Sequence, residues 1–153
     1  MKRHIFSRFL AVELNARKTL SELAQEMAVF YFNMRTAHFH TTGDTFLELH
    51  LYAEELYKQA EDYYDDLIET AISLKETVVP MHILPGDWIP EQNFDRNPYE
   101  TINLLLISTQ KIYDFLETIN KDVYPSFVYS KIDSMLEYFD KQIYKIGQMA
   151  KGE

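Results

Sequence analysis

The chain has 153 residues and no cysteine, so neither disulfide staples nor thiolate-bound metal sites are available to it. A chain of this length is large enough to rely on one buried core instead. A reducing compartment, the cytoplasm, is the matching expectation. No stretch approaches the roughly 20 consecutive apolar residues of a membrane span, so none is expected. The opening MKRHIFSRFLAVEL mixes basic and apolar residues, but Arg8 and Glu13 interrupt it and no small-residue cleavage site follows, which argues against a secretory leader. Positive charge is also scarce. With 15 Lys and Arg against 24 Asp and Glu, the net charge of -9 makes the surface repel nucleic acid unless basic groups are concentrated locally. Only the first eighteen residues concentrate them, with Lys2, Arg3, Arg8, Arg17 and Lys18 against Glu13. There is no internal repeat and no low-complexity segment.

What is present is helix punctuation. Thr19 followed by Glu22, and Thr45 followed by Glu48, read as capping boxes, and Asn97, Pro98 and Glu100 supply a cap, a first-turn proline and an acidic third position. Helices are predicted over about 20–40, 46–75, 98–119 and 126–149. The first carries Leu23, Met27, Phe30, Met34 and His38 along one stripe and is broken by Gly43. Met27, Met34 and Met135 read as core filler. The stretch after Glu76, residues 77 to 96, holds three of the five prolines and reads as a crossover. Two short connections around one long one predict an all-α, four-helix bundle whose second and third helices run parallel, the connectivity of ferritin-like folds.

The chemistry lies in the second predicted helix and just before it. Residues four apart on a helix sit one above the other, so His50 with Glu54, and Asp65 with Glu69, are two-ligand clamps. Glu61 joins them in a sector about 100° wide, while Leu49, Tyr52, Ala53, Leu56, Ala60, Tyr63, Tyr64 and Leu67 fill the other side. At ~1.5 Å per residue the clamps lie about 22 Å apart, too far to share an ion. A second copy running antiparallel across a two-fold axis would bring the His50 end of one helix to the Asp65 and Glu69 end of the other. Imidazole with carboxylate suits iron or zinc, and the ligand types alone also admit manganese. Taken singly, His38 continues an apolar stripe, and Asp65 and Glu69 lie in an acidic run that ordinarily is a solvated face. The joint spacing is what carries the metal reading. His40 and His82 read as ordinary surface or loop histidines, and Tyr52, Tyr57, Tyr63 and Tyr64 as packing residues. No Glu-x-x-His occurs, and the third and fourth helices contain no histidine, which disfavours a di-iron centre inside one bundle.

His38, Gly43, Phe46, Leu49, His50, Glu54, Glu55, Leu56, Tyr57, Asp65 and Glu69, with steps of twelve, four, eleven and four between the candidate ligands, resemble the Dps miniferritins. The stretch EYFDKQIYKI, Glu137 to Ile146, is similar to that family's last helix. The resemblance implies a single ferritin-like domain over residues 1–153, with 1–18 a possible N-terminal extension. It implies a homo-oligomeric shell of twelve subunits with a ferroxidase site at each subunit two-fold. There Fe(II) is oxidised by hydrogen peroxide, or by oxygen, and stored as ferric mineral, which also suppresses hydroxyl radical under oxidative stress. Catalytic and metal-binding roles pass to His38, His50 and Glu54 of one subunit and Asp65 and Glu69 of its partner. The alternative is a structural or DNA-binding cage with no active ferroxidase centre, or one binding zinc. The chain departs from the family pattern at Phe39, where a tryptophan is usual and an indole donor is lost. The family's Lys-rich tail and Gly-Gly are missing, and Pro80, Pro85, Trp88 and Pro90 occupy the crossover.

Overall fold

A computed structural model describes residues 18–78 and 95–152. The basic start, the tryptophan and three prolines of the crossover, and His82 lie outside the described residues. Within them four helices form in the predicted order: α1 (Leu20–His40), α2 (Phe46–Ser73), α3 (Pro98–Glu117) and α4 (Ser126–Lys151), with a 3-10 turn at Lys121–Val123.

Helix α1 begins on the expected capping box. Thr19 Oγ1 accepts from the Glu22 N–H at 3.1 Å and Glu22 returns the bond to the Thr19 N–H at 2.8 Å. The two N–H groups between them are taken by distant side chains, Leu20 by the Tyr124 hydroxyl at 3.0 Å and Ser21 by Glu76 Oε1 at 2.8 Å. All four orphan donors of the helix start are therefore satisfied. The box on Asn97 and Glu100 also forms, at 2.9 and 3.0 Å.

The expected box on Thr45 and Glu48 does not form. Thr45 has ψ 19°, not the extended conformation that aims a capping hydroxyl at the helix start, and its Oγ1 is buried without a hydrogen-bond partner. Helix α2 ends at Ser73 rather than near 75. Lys75 takes a left-handed φ of 59°, its N–H bonds the Ile72 carbonyl at 2.9 Å, and Glu76 N–H bonds Ala71 O at 2.9 Å. That is a Schellman closure achieved without glycine. Helix α3 likewise stops at Glu117, two residues early, because Ile119 pairs as an isolated bridge with Lys18.

That bridge and a second one between Thr41 and Arg96 set the helix directions. Lys18 precedes α1 and Ile119 follows α3, so these helices are antiparallel. Arg96 N–H donates to His40 O at 2.7 Å and Thr42 N–H to Arg96 O at 2.8 Å, which pins the α1–α2 turn beside the start of α3. Helices α2 and α3 therefore start at the same end and run parallel, as the connection lengths predict.

The expected stripe of α1, Leu23, Met27, Phe30, Met34 and His38, is buried, as are Leu49, Ala53, Leu56, Ala60 and Leu67 of α2. Met135 and Phe139 close the core from α4, with Phe139 edge-on to Phe30 at 5.2 Å. Each leucine, methionine and phenylalanine among them contributes about 1.5–3 kcal/mol of apolar burial. Tyr52 is buried as well, its hydroxyl donating to Gln142 Oε1 at 2.7 Å, so the helices also meet through a satisfied polar contact.

Candidate metal centre

His38 stands in the last turn of α1, His50 in the second turn of α2 and Glu54 one turn further on. The tight α1–α2 turn, held open at Gly43 with φ 95°, folds the two helices back so that these three side chains converge. One ligand atom from each lies within 4.8 Å of the others. His38 is buried, while His50 and Glu54 are half-buried.

The two imidazoles stack at a centroid distance of 3.7 Å with an interplanar angle of 24°. Each also bonds to the other's main chain, His38 Nδ1 to His50 O at 2.9 Å and His50 Nδ1 to His38 O at 2.7 Å. A carbonyl oxygen only accepts, so each Nδ1 must carry the proton. In the neutral imidazole that tautomer leaves Nε2 as a lone pair, the form in which imidazole binds metal. Glu54 adds an anionic oxygen. Its carboxyl is held below the usual carboxylate range, chiefly by the hydrogen bond from Lys58 and with the charge of that ammonium adding to it, against the opposing effect of burial. An ion about 2.1 Å from each ligand atom spans at most about 4.2 Å between them, so a small side-chain adjustment closes the set.

The surroundings are aromatic. Phe46 lies 5.0 Å from the His50 ring, and Phe39 and Tyr57 lie 5.0 and 5.3 Å from the His38 ring. The Arg35 guanidinium sits over Tyr57, Phe39 and Tyr31 at 4.9, 5.3 and 5.5 Å and donates to the Tyr31 hydroxyl at 2.8 Å. Phe39 thus keeps an aromatic wall beside the ligands.

Asp65 and Glu69 are not brought to this cluster. Both are exposed and lie farther down α2, Asp65 on a shallow groove it shares with Ala28, Tyr31, Phe32, Glu61 and Tyr64. Three of the five candidate ligands therefore meet within one chain, and Asp65 and Glu69 do not join them. His40 stands apart from the triad. Sequence reasoning missed Lys58, which pairs with Glu54, and Arg35 as the organiser of the aromatic wall. The four-residue step from Glu54 to Lys58 was a readable signal for the first; nothing in the sequence pointed to the second.

The same arrangement of helices occurs in solved structures. Dps from Staphylococcus aureus superposes with a TM-score of 0.73 at 20% identity, over 86% of this chain and 91% of that one. The chain has the Dps fold. A Dps protein from Vibrio cholerae O1, described as a member of a broad superfamily of ferritin-like diiron-carboxylate proteins, gives a TM-score of 0.61 at 24% identity, over 88% of this chain and 84% of that one. A Dps protein from Bacillus brevis gives 0.56 at 18%, over 86% and 89%. No protein-family model and no curated protein matches the sequence. The helices that carry the triad in this chain are thus elements of the Dps bundle. Among the described residues no helix is long and apolar enough to cross a membrane.

Proposed function

We propose that this chain is a Dps-type ferroxidase and iron-storage protein, whose sites are completed between two copies. The observation that carries the reading is the convergence of His38, His50 and Glu54 with both imidazoles set to offer Nε2. A ferrous ion held by these three is completed by Asp65 and Glu69 of a second copy, whose α2 lies antiparallel across a two-fold axis. The charge pattern supports that docking: Arg35 and Lys58 stand on the half of the face nearer the triad, and Glu61, Asp65 and Glu69 on the other half, so antiparallel copies juxtapose opposite signs. Exposed Phe39 and Leu51 next to the triad supply apolar surface for the same contact.

Hard carboxylate oxygens favour the ferric product over the ferrous substrate, which lowers the potential at which iron gives up its electron. With hydrogen peroxide as acceptor, two ferrous ions supply two electrons, the O–O bond breaks and two protons complete two waters. Ferric product then passes to the interior of a closed shell, twelve subunits by the resemblance. Zinc, which accepts the same ligand types but has no redox chemistry, acts as a competitor.

The test is peroxide-driven oxidation of ferrous iron followed by absorbance, comparing the intact protein with an Asp65→Asn, Glu69→Gln double variant of unchanged assembly. Rapid oxidation in the intact protein and its loss in the variant is the expected result. Equal, background rates in both would overturn the ferroxidase reading.

A further inference from the structure

Glu54 does not wait for metal with an empty carboxylate. Lys58, one turn on, forms an ion pair with Glu54 Oε1 on the face of α2 that carries the triad. The pair sits at the solvent edge, the Lys58 side chain being 62% exposed and that of Glu54 29%. Of the three ligands only Glu54 carries a full negative charge, so it is the one whose occupancy a cation can contest.

We infer that Lys58 is a built-in competitor for the metal centre, a tethered cation that must leave Glu54 before a divalent ion can use it. The inference rests on the metal reading above. A tethered ammonium excludes monovalent ions effectively, because they bring no more charge than the group they displace. A divalent ion brings twice the charge and gains two imidazole bonds that an ammonium cannot make, since an ammonium has donors only and the Nε2 lone pairs accept a metal. Lys58 therefore raises the concentration of divalent cation needed to load the site without abolishing loading. The penalty is modest, because solvent-exposed ion pairs alter an equilibrium by only about two- to five-fold.

Cobalt(II) binding to the intact assembly, followed by calorimetry, tests this. Lys58→Met, compared at unchanged assembly state by sedimentation, is expected to tighten binding about two- to five-fold at low ionic strength, an advantage that shrinks in high salt. Lys58→Arg, which keeps a cation in reach of Glu54, is expected to stay near the parent affinity. In a Glu54→Gln background the Lys58→Met gain should disappear. Unchanged or weaker binding in Lys58→Met, or the same gain in the Glu54→Gln background, would overturn the inference while leaving the metal reading standing. Absence of saturable cobalt binding by the parent protein would instead remove the metal reading, and the inference with it.

Discussion

His38 and His50 hold each other's rings in one tautomer: each bonds through Nδ1 to the other's main-chain carbonyl, at 2.9 and 2.7 Å, across a stack 3.7 Å deep. The relationship is reciprocal and crosses the α1–α2 turn, so the ligands and the helix pairing stabilise each other. A ligand set arranged this way loses little freedom when metal arrives, which is the usual effect of outer hydrogen bonds on metal-binding histidines.

The first prediction follows from that geometry. In their neutral form the rings of His38 and His50 should report protonated Nδ1 and unprotonated Nε2 in a nitrogen–proton correlation spectrum of labelled, metal-free protein. His50→Phe should keep the ring stack yet weaken cobalt(II) binding by roughly 10–100-fold or more, since it deletes a ligand outright. A variant that retained parent affinity would show that the metal sits elsewhere.

Gly43 gives the second. Its φ of 95° is unfavourable for any side chain, and an added Cβ would lie 3.1 Å from Pro98 Cδ. Gly43→Ala should destabilise the fold by about 1–3 kcal/mol in urea unfolding. It should also weaken cobalt binding, because the turn it distorts is the one that brings His38 to His50. A full-stability variant would mean that the turn relaxes freely.

Tyr124 gives the third, at alkaline pH. Burial, aided by its hydrogen bond to Glu76, pushes its phenol up to about 12 from an ordinary 10.0, against the opposing effect of the Leu20 N–H. Burial pushes Tyr52 and Tyr138 up as well. Between about pH 10 and 12 the unfolded chain has lost these protons and the folded chain keeps them. Stability is therefore fully retained below about pH 10 and falls as pH rises toward 12. Tyr124→Phe should cost about 1 kcal/mol or somewhat more at neutral pH, through the Leu20 and Glu76 bonds, but should lose stability less steeply above pH 10. Urea midpoints measured across that range for both proteins check the sign.

The sequence carried the helices because their signals are local. A capping box acts over three residues and an apolar stripe over one helix, so Thr19, Asn97 and the run Leu23 to His38 could be read directly. The Thr45 box failed because the tight turn at Gly43 dictates the backbone there and overrides the preference of one hydroxyl. The end of α3 was set by a contact between segments distant in the chain, Ile119 with Lys18, and that of α2 by a left-handed backbone at Lys75, a residue type that gives no sign of it.

For the site the division is similar. Helical periodicity alone determined that His50 and Glu54 share a face and that Asp65 and Glu69 cannot reach them within one chain, because rise per residue is a constant of the helix. Only the tertiary structure decided how the His38 ring meets them and which of its nitrogens carries the proton. Those depend on the angle of a turn and on which carbonyl faces which nitrogen, distances that no residue pattern encodes until the two helices have packed.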